Sequence, residues 1–177
     1  MSVFKRNKVE GILAGLLQEL PVFQVLTGPR QVGKTTAAKQ VMERFPHESI
    51  YASADAPLPA EVDWIENQWR LAEQKAAAAG KPVLLVLDEI QKVPSWSESV
   101  KWLWDQRSVD IRLLILGSLA LLIQQGLTES LAGRFFLNRF THWSYPECAD
   151  AFGWSLNDWF YFGGYPGGEV FKEDDFQ

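Results

Sequence analysis

The chain has 177 residues, 47% of them hydrophobic, which is enough for one well-packed domain and too little for two full ones. Lys and Arg number 17 against 22 Asp and Glu, so the formal net charge of -5 lacks the basic surplus of a domain that clamps nucleic acid by its phosphates. Cys148 is the only cysteine, which excludes an internal disulfide and points to a reducing, cytoplasmic location.

In chain order, the start MSVFKRNKVEGILAGLLQEL is basic and then apolar. It lacks a small-residue cleavage site and its apolar residues are periodic, so it does not read as a signal peptide. Val9, Ile12, Leu13, Leu16, Leu17 and Leu20 share one helical face, and Pro21 stops that helix. VFQVLT (Val22 to Thr27) is apolar at nearly every position, as expected of a strand buried on both faces. A helix is expected from about Gly33 to Arg44, and SIYASAD (Ser49 to Asp55) reads as a second, weaker strand. Pro57 and Pro59 break the chain. A long helix then puts Ile65, Trp69, Ala72, Ala76 and Ala79 on one stripe before Gly80 ends it.

PVLLVLDE (Pro82 to Glu89) is the clearest strand, and the next helix carries Trp96, Val100, Leu103, Trp104 and Arg107 on one side. IRLLILGS (Ile111 to Ser118) is a fourth strand, followed by a short helix through Leu122 and a fifth strand, FFLNRF (Phe135 to Phe140). Strands alternating with helices imply right-handed crossovers and an α/β fold, a mainly parallel sheet with helices on both faces. The apolar run Leu113 to Ile123 is interrupted by Gly117 and Ser118 and falls short of the ~18 residues of a membrane span.

Between the first strand and its helix, Gly28, Gly33, Lys34 and Thr35 fit the phosphate-loop spacing G-x-x-x-x-G-K-[ST]. The candidate binding residues are Gly28, Pro29, Arg30, Gln31, Val32, Gly33, Lys34, Thr35 and Thr36. The glycines let the backbone turn sharply beside phosphate oxygens. The amides from Gln31 to Thr35 and the positive end of the helix then attract the anion. In that reading Lys34 bridges the beta and gamma phosphates and the Thr35 hydroxyl binds magnesium; the bland alternative is a glycine-containing turn before a helix. Asp88 and Glu89 end an apolar strand, where side chains emerge at the carboxyl edge of a parallel sheet. Asp88 is expected to hold magnesium through its water shell, and Glu89 to orient and polarise the attacking water. The competing reading is an ordinary Asp-Glu helix start.

Ser118 either touches the gamma phosphate or attacking water, or caps the next helix. Arg134 either points out of its own subunit to stabilise transition-state charge in a neighbour's site, or is a surface arginine or one paired with Glu129. Arg30 is a weaker candidate for that role.

TGPRQVGKTT, LDEIQKVPSW, LLILGSLALL and ESLAGRF, in this order, resemble a group of prokaryotic ATPases of the AAA superfamily that usually carry a C-terminal, nuclease-like domain of unknown function. FGGYPGG is similar to the same family near its domain junction. The resemblance implies a P-loop NTPase core of three α/β/α layers with a five-stranded sheet in the order 5-1-4-3-2. It implies ATP with Mg2+, and a homo-oligomer in which an arginine is donated in trans. Lys34, Thr35, Asp88, Glu89, Ser118 and Arg134 match the family pattern. The fourth strand departs from it, ending LGSLALL where relatives more often have Thr-Gly-Ser, so a sensor role rests on Ser118 alone.

The expected division is an ATPase core over 1–143 and an aromatic-rich helical extension over 144–177, the start of a truncated C-terminal region. FTHWSYPECADAFGWSLNDWFYFGGYP (Phe140 to Pro166) has three readings: a helical pair packed on the core, a cover for an effector domain or partner protein, or a stacking platform for single-stranded nucleic acid. Its few Lys and Arg residues disfavour the last. His47, His142 and Cys148 carry no recognisable metal or catalytic spacing. The function expected is a Mg-dependent ATPase acting as a switch or motor, with a nucleotide-binding scaffold of little turnover as the alternative. A small-molecule kinase is disfavoured because no lid arginine cluster is visible, and GTP because no Asn-Lys-x-Asp motif is present.

Overall fold

A computed structural model describes residues 4, 6–19, 22–55, 61, 63–118 and 131–169. The expected helix stop at Leu20 and Pro21, the prolines at 57 and 59, the short helix through Leu122, Glu129 and residues 170–177 lie outside them.

The elements follow the expected alternation: α1 (Lys8–Leu16), β1 (Phe23–Thr27), α2 (Lys34–Arg44), β2 (Ser49–Ser53), α3 (Trp64–Ala79), β3 (Val83–Asp88), α4 (Trp96–Gln106), β4 (Ile111–Gly117) and β5 (Phe135–Arg139). Two short helices, α5 (Tyr145–Phe152) and α6 (Leu156–Phe162), close the described chain. The five strands form one sheet in the order β2-β3-β4-β1-β5, which is 5-1-4-3-2 read from the other edge, and every pairing is parallel.

The three inner strands are buried at every residue, while the edge strands β2 and β5 are only partly buried. That explains why the inner strands read as unbroken apolar runs. Period-two alternation then sorts their side chains onto two cores. Phe23, Val25, Leu85, Leu87, Leu113 and Ile115 pack with Ile65, Trp69, Val100 and Trp104 of α3 and α4. Leu26, Leu84, Val86, Leu114 and Leu116 pack with Ile12, Leu16, Ala38 and Val41 of α1 and α2. Along α3 the expected stripe is buried except for Ala79, which is exposed in the last turn before the left-handed Gly80 cap. Arg107 follows α4 and stacks its guanidinium 3.9 Å from the Trp104 ring centroid.

Arg112 explains how α1 is anchored. It is buried on β4 and donates to the Leu16 carbonyl at 2.9 Å and the Gln18 carbonyl at 2.5 Å, satisfying the end of α1 where a cation also suits the helix dipole. Its guanidinium pairs with Asp110.

Register places the carboxyl ends of the strands together. Thr27 pairs with Gly117, Ser53 with Asp88, and Thr27 with Arg139 on the other side. Every loop that leaves this edge can reach a common site. α5 and α6 begin at capping boxes formed by Ser144 with Glu147 and Ser155 with Asp158. Trp143, Cys148 and Trp154 form a third core with Phe4 and Phe152 packed against it. Leu156, Phe160, Tyr161 and Tyr165 remain exposed, so the aromatic segment is partly core and partly surface.

Candidate nucleotide-binding site

β1 ends at Thr27, and the next six residues turn the chain into α2. Gly28 has φ 152, and a Cβ there would lie 2.1 Å from the Phe140 carbonyl oxygen, so a side chain cannot fit. Phe140 is held against the loop by its own amide, which donates to the Thr27 carbonyl at 2.6 Å. Gln31 at φ 62 and Gly33 at φ 89 are both left-handed. A non-glycine residue is rarely held there without a purpose for the loop. Val32 between them is buried, and its carbonyl accepts hydrogen bonds from Trp143 Nε1 at 3.0 Å and Arg6 at 3.5 Å. The loop is therefore braced from behind by the segment that follows β5. Arg6 also forms a bidentate pair with Glu147 of α5 and sits 5.1 Å from the Phe140 ring centroid.

In front of the loop the functional side chains converge. Lys34 Nζ donates to the carbonyls of Gly28 at 3.0 Å and Pro29 at 2.6 Å, which curls the ammonium over the loop. Burial holds the Lys34 ammonium below the usual lysine range, against the opposing pull of Glu89 and Asp88. Thr35 Oγ1 donates to Asp88 Oδ2 at 2.9 Å, which joins loop to strand β3. The other Asp88 oxygen accepts the Glu89 amide at 2.9 Å. Glu89 has φ 53 and starts a short turn, Ile90–Lys92, whose first two residues are buried. Gln91 Nε2 donates to Glu89 Oε2.

A cleft of about 650 Å³ opens here, and Arg30, Gln31, Gly33, Lys34, Thr35 and Thr36 form its loop side. Glu89, Asp55 and Lys92 line the opposite side, and the last two form an ion pair. Gly28, Pro29 and Val32 do not line it: they shape the turn. Ser118 follows directly on the Thr27–Gly117 pair, so it lies next to the start of the loop without lining the cleft. Arg134 is elsewhere. It precedes β5, and the Phe23 amide at the start of β1 donates to its carbonyl, which puts it at the amino edge of the sheet. Five strand residues, roughly 17 Å, separate that edge from the loop. Its partner there is Asp105 of α4, bonded through two contacts of 2.8 Å.

Sequence reasoning missed Tyr51, Asp55, Gln91 and Lys92. Tyr51 donates its hydroxyl to Asp88 Oδ2 at 2.7 Å, and burial followed by that bond raises the phenol well above its usual range, so it stays a donor. Asp55 follows the carboxyl end of β2 and Gln91 and Lys92 follow β3, positions that could have marked them, whereas Tyr51 sits mid-strand on β2 and reaches Asp88 with its long side chain. Sequence reasoning also missed a second cavity of about 470 Å³ beside the first. It is lined by Phe4, Ala37, Gln40, Trp143 and Phe152, and shares Gly33, Thr36 and Pro166 with the cleft. No periodicity could reveal it, because its walls come from both ends of the chain.

The donor set fits magnesium carried by a phosphate. Thr35 and Asp88 offer a hydroxyl and a carboxylate oxygen, the hard ligands that Mg2+ takes in ones and twos beside phosphate and water. Among the described residues no group of three or more His, Cys, Asp or Glu forms a cage, and a phosphate-borne ion requires none.

Fold and loop together define a P-loop NTPase. The similarity to known proteins narrows this: residues 22–149 match the AAA domain family, and the chain belongs to it. It is an ATP-binding domain of the AAA type. Uncharacterised proteins of Mycobacterium tuberculosis and Mycobacterium bovis are each 33% identical over 132 residues. That alignment covers 75% of this chain but only 27% of each relative. Among solved structures, the Aeropyrum pernix ORC1 protein in complex with DNA is similar at TM-score 0.55 and 18% identity, over 86% of this chain and 50% of that one. The Thermotoga maritima RuvB Holliday junction branch migration motor is similar at TM-score 0.54 and 17% identity, over 82% of this chain and 47% of that one. At these identities the two structures speak to fold alone. Among the described residues no helix is long and apolar enough to cross a membrane.

Proposed function

We propose that this domain binds Mg-ATP and hydrolyses its terminal phosphoanhydride, acting as a switch or motor for a partner. The observation that carries the reading is the Thr35–Asp88 bond, with Glu89 next in sequence, on the wall of a polar cleft that continues into an aromatic cavity. A triphosphate suits the first space and a planar base the second, against the contiguous rings of Phe4, Trp143 and Phe152. Adenine is favoured over guanine by the lack of a guanine-reading motif.

In this mechanism the turned amides of Gln31 to Thr35 and the Lys34 ammonium hold the phosphates and neutralise charge as it develops. Thr35 and Asp88 would hold the ion, which when bound would supply Lewis-acid stabilisation to phosphate oxygens. Glu89 accepts hydrogen bonding from a water and takes its proton. The water oxygen bonds to the gamma phosphorus and the bond to the bridging oxygen breaks, releasing ADP and phosphate. Ser118, beside the start of the loop, is assigned to sensing the gamma phosphate by its position after β4, although it does not line the cleft. Arg134 lies too far from its own loop to serve it and is paired with Asp105, so donation to a second copy's site, and with it a homo-oligomer, requires that pair to open.

The brace from Trp143 to Val32 offers a route from nucleotide to the helical extension 144–177, read here as separate from the core 1–143. An effector domain, nuclease-like by the family resemblance, or a partner protein would take up that movement in the cytoplasm. Nucleic acid binding is left out of the proposal, because a net charge of -5 offers no basic surplus.

The test is phosphate release at several protein concentrations. Turnover per subunit should rise with concentration, and Glu89→Gln should keep ATP binding while losing about 100-fold or more in turnover. Normal release by Glu89→Gln would remove Glu89 as the base.

A further inference from the structure

Gln91 is polar, 6% exposed and without a place in the mechanism above. Its Nε2 donates to Glu89 Oε2 at 2.5 Å. Its Oε1 is buried and has no hydrogen-bond partner among the described residues. A buried amide with one end unmet is a net cost to the fold, and an apolar residue of the same size would avoid it. The orientation of the amide is fixed by chemistry: an ionised carboxylate only accepts, so the nitrogen must face Glu89.

The turn that carries Gln91 is rigid. Ile90 and Val93 are buried in the core beneath α3 and α4, and the Lys92 and Val93 amides donate to the carbonyls of Glu89 and Ile90 at 3.0 and 2.9 Å. Glu89 itself starts from a left-handed backbone with its amide tied to Asp88. A side chain held at its root by a strained backbone still has free rotation further out, and that is where Gln91 acts.

We propose that Gln91 is the positioning residue of Glu89. It occupies one carboxylate oxygen and fixes the rotation of the group, so that the other oxygen faces the attacking water. This rests on the reading of Glu89 as the base. A general base contributes only when its accepting atom is within reach and correctly turned, so loss of orientation lowers turnover without touching phosphate affinity.

The experiment compares wild type, Glu89→Gln, Gln91→Leu and Gln91→Glu by steady-state phosphate release, ATP-binding calorimetry and thermal unfolding. Gln91→Leu removes the unmet carbonyl together with the donor. It should lower kcat at least tenfold, leave KM for ATP and the magnesium dependence within twofold, and leave Tm unchanged or raised. Gln91→Glu keeps the shape, cannot donate when ionised and repels Glu89, so it should lose turnover to a similar extent with ATP affinity retained. A merely structural glutamine predicts the reverse for Gln91→Leu, with Tm lowered and kcat and affinity falling together, and that pattern overturns the proposal. So does wild-type turnover in both Gln91 variants while Glu89→Gln is inactive. If Glu89→Gln releases phosphate normally, the base assignment itself is wrong and the role of Gln91 falls with it.

Discussion

The two edges of the sheet treat charge and backbone differently. At the amino edge, Arg112 is spent on Asp110 and the end of α1, and Arg134 on Asp105. At the carboxyl edge Lys34 and Glu89 line one cleft, with Asp88 bonded to Thr35 on its wall. The left-handed non-glycine residues among those described, Gln31, Glu89 and Ser95, all follow the carboxyl ends of β1 and β3. Strain costs on the order of 1–3 kcal/mol per residue and persists only where surrounding structure over-determines it. The contrast teaches that one edge of this domain is arranged for stability and the other is held, at some cost, in a shape that suits a ligand.

Glycine substitutions should break the comparison most sharply. Gly28→Ala forces a Cβ to within 2.1 Å of the Phe140 backbone oxygen, and a destabilisation of about 3 kcal/mol or more is expected by denaturant unfolding. Gly11→Ala in α1 meets nothing within 4 Å and should instead stabilise by about 0.5–1 kcal/mol. The brace behind the loop comes next. Trp143→Phe keeps the ring packing but removes the donor to Val32, for an expected loss of about 1 kcal/mol and a several-fold weaker ATP affinity by calorimetry.

The smallest effect concerns pH. Burial alone would raise the Glu147 carboxyl, but its bonds from Arg6 and Ser144 outweigh this and hold it below the usual range. A carboxylate depressed in the folded state contributes stability above its unfolded pKa of about 4.3, lost as pH falls through the folded value. Glu147→Gln should therefore flatten the acid limb of the stability curve below about pH 4.3 and leave its slope near neutrality unchanged, as read by unfolding at stepped pH.

How much of this was written in the sequence follows the same division. The inner strands were legible because burial on both faces demands unbroken apolar runs such as Leu84 to Leu87. The loop was legible because its chemistry demands particular residues at fixed spacing. Tyr51, Asp55 and Lys92 were not, because edge-strand and turn residues become neighbours only when β2 pairs with β3. Gln91 was quoted in the motif yet unassigned, since its hydrogen bond to Glu89 depends on the left-handed backbone of Glu89 and the short turn that follows. A pair between Arg134 and Glu129 was only one alternative to a role in trans, and Glu129 lies outside the described residues; the described partner is Asp105, supplied by a helix that sequence distance hides.

The central claim is that the turn between β1 and α2 grips the phosphates of ATP. Titration calorimetry of Mg-ATP into wild type and Lys34→Ala tests it most directly. Wild type should bind with a stoichiometry of about one per chain, the single loop setting the count, and Lys34→Ala, with unchanged Tm, should bind about 100-fold more weakly, roughly 2.7 kcal/mol. Equal affinity in both proteins, or no heat from folded wild type, would contradict the account.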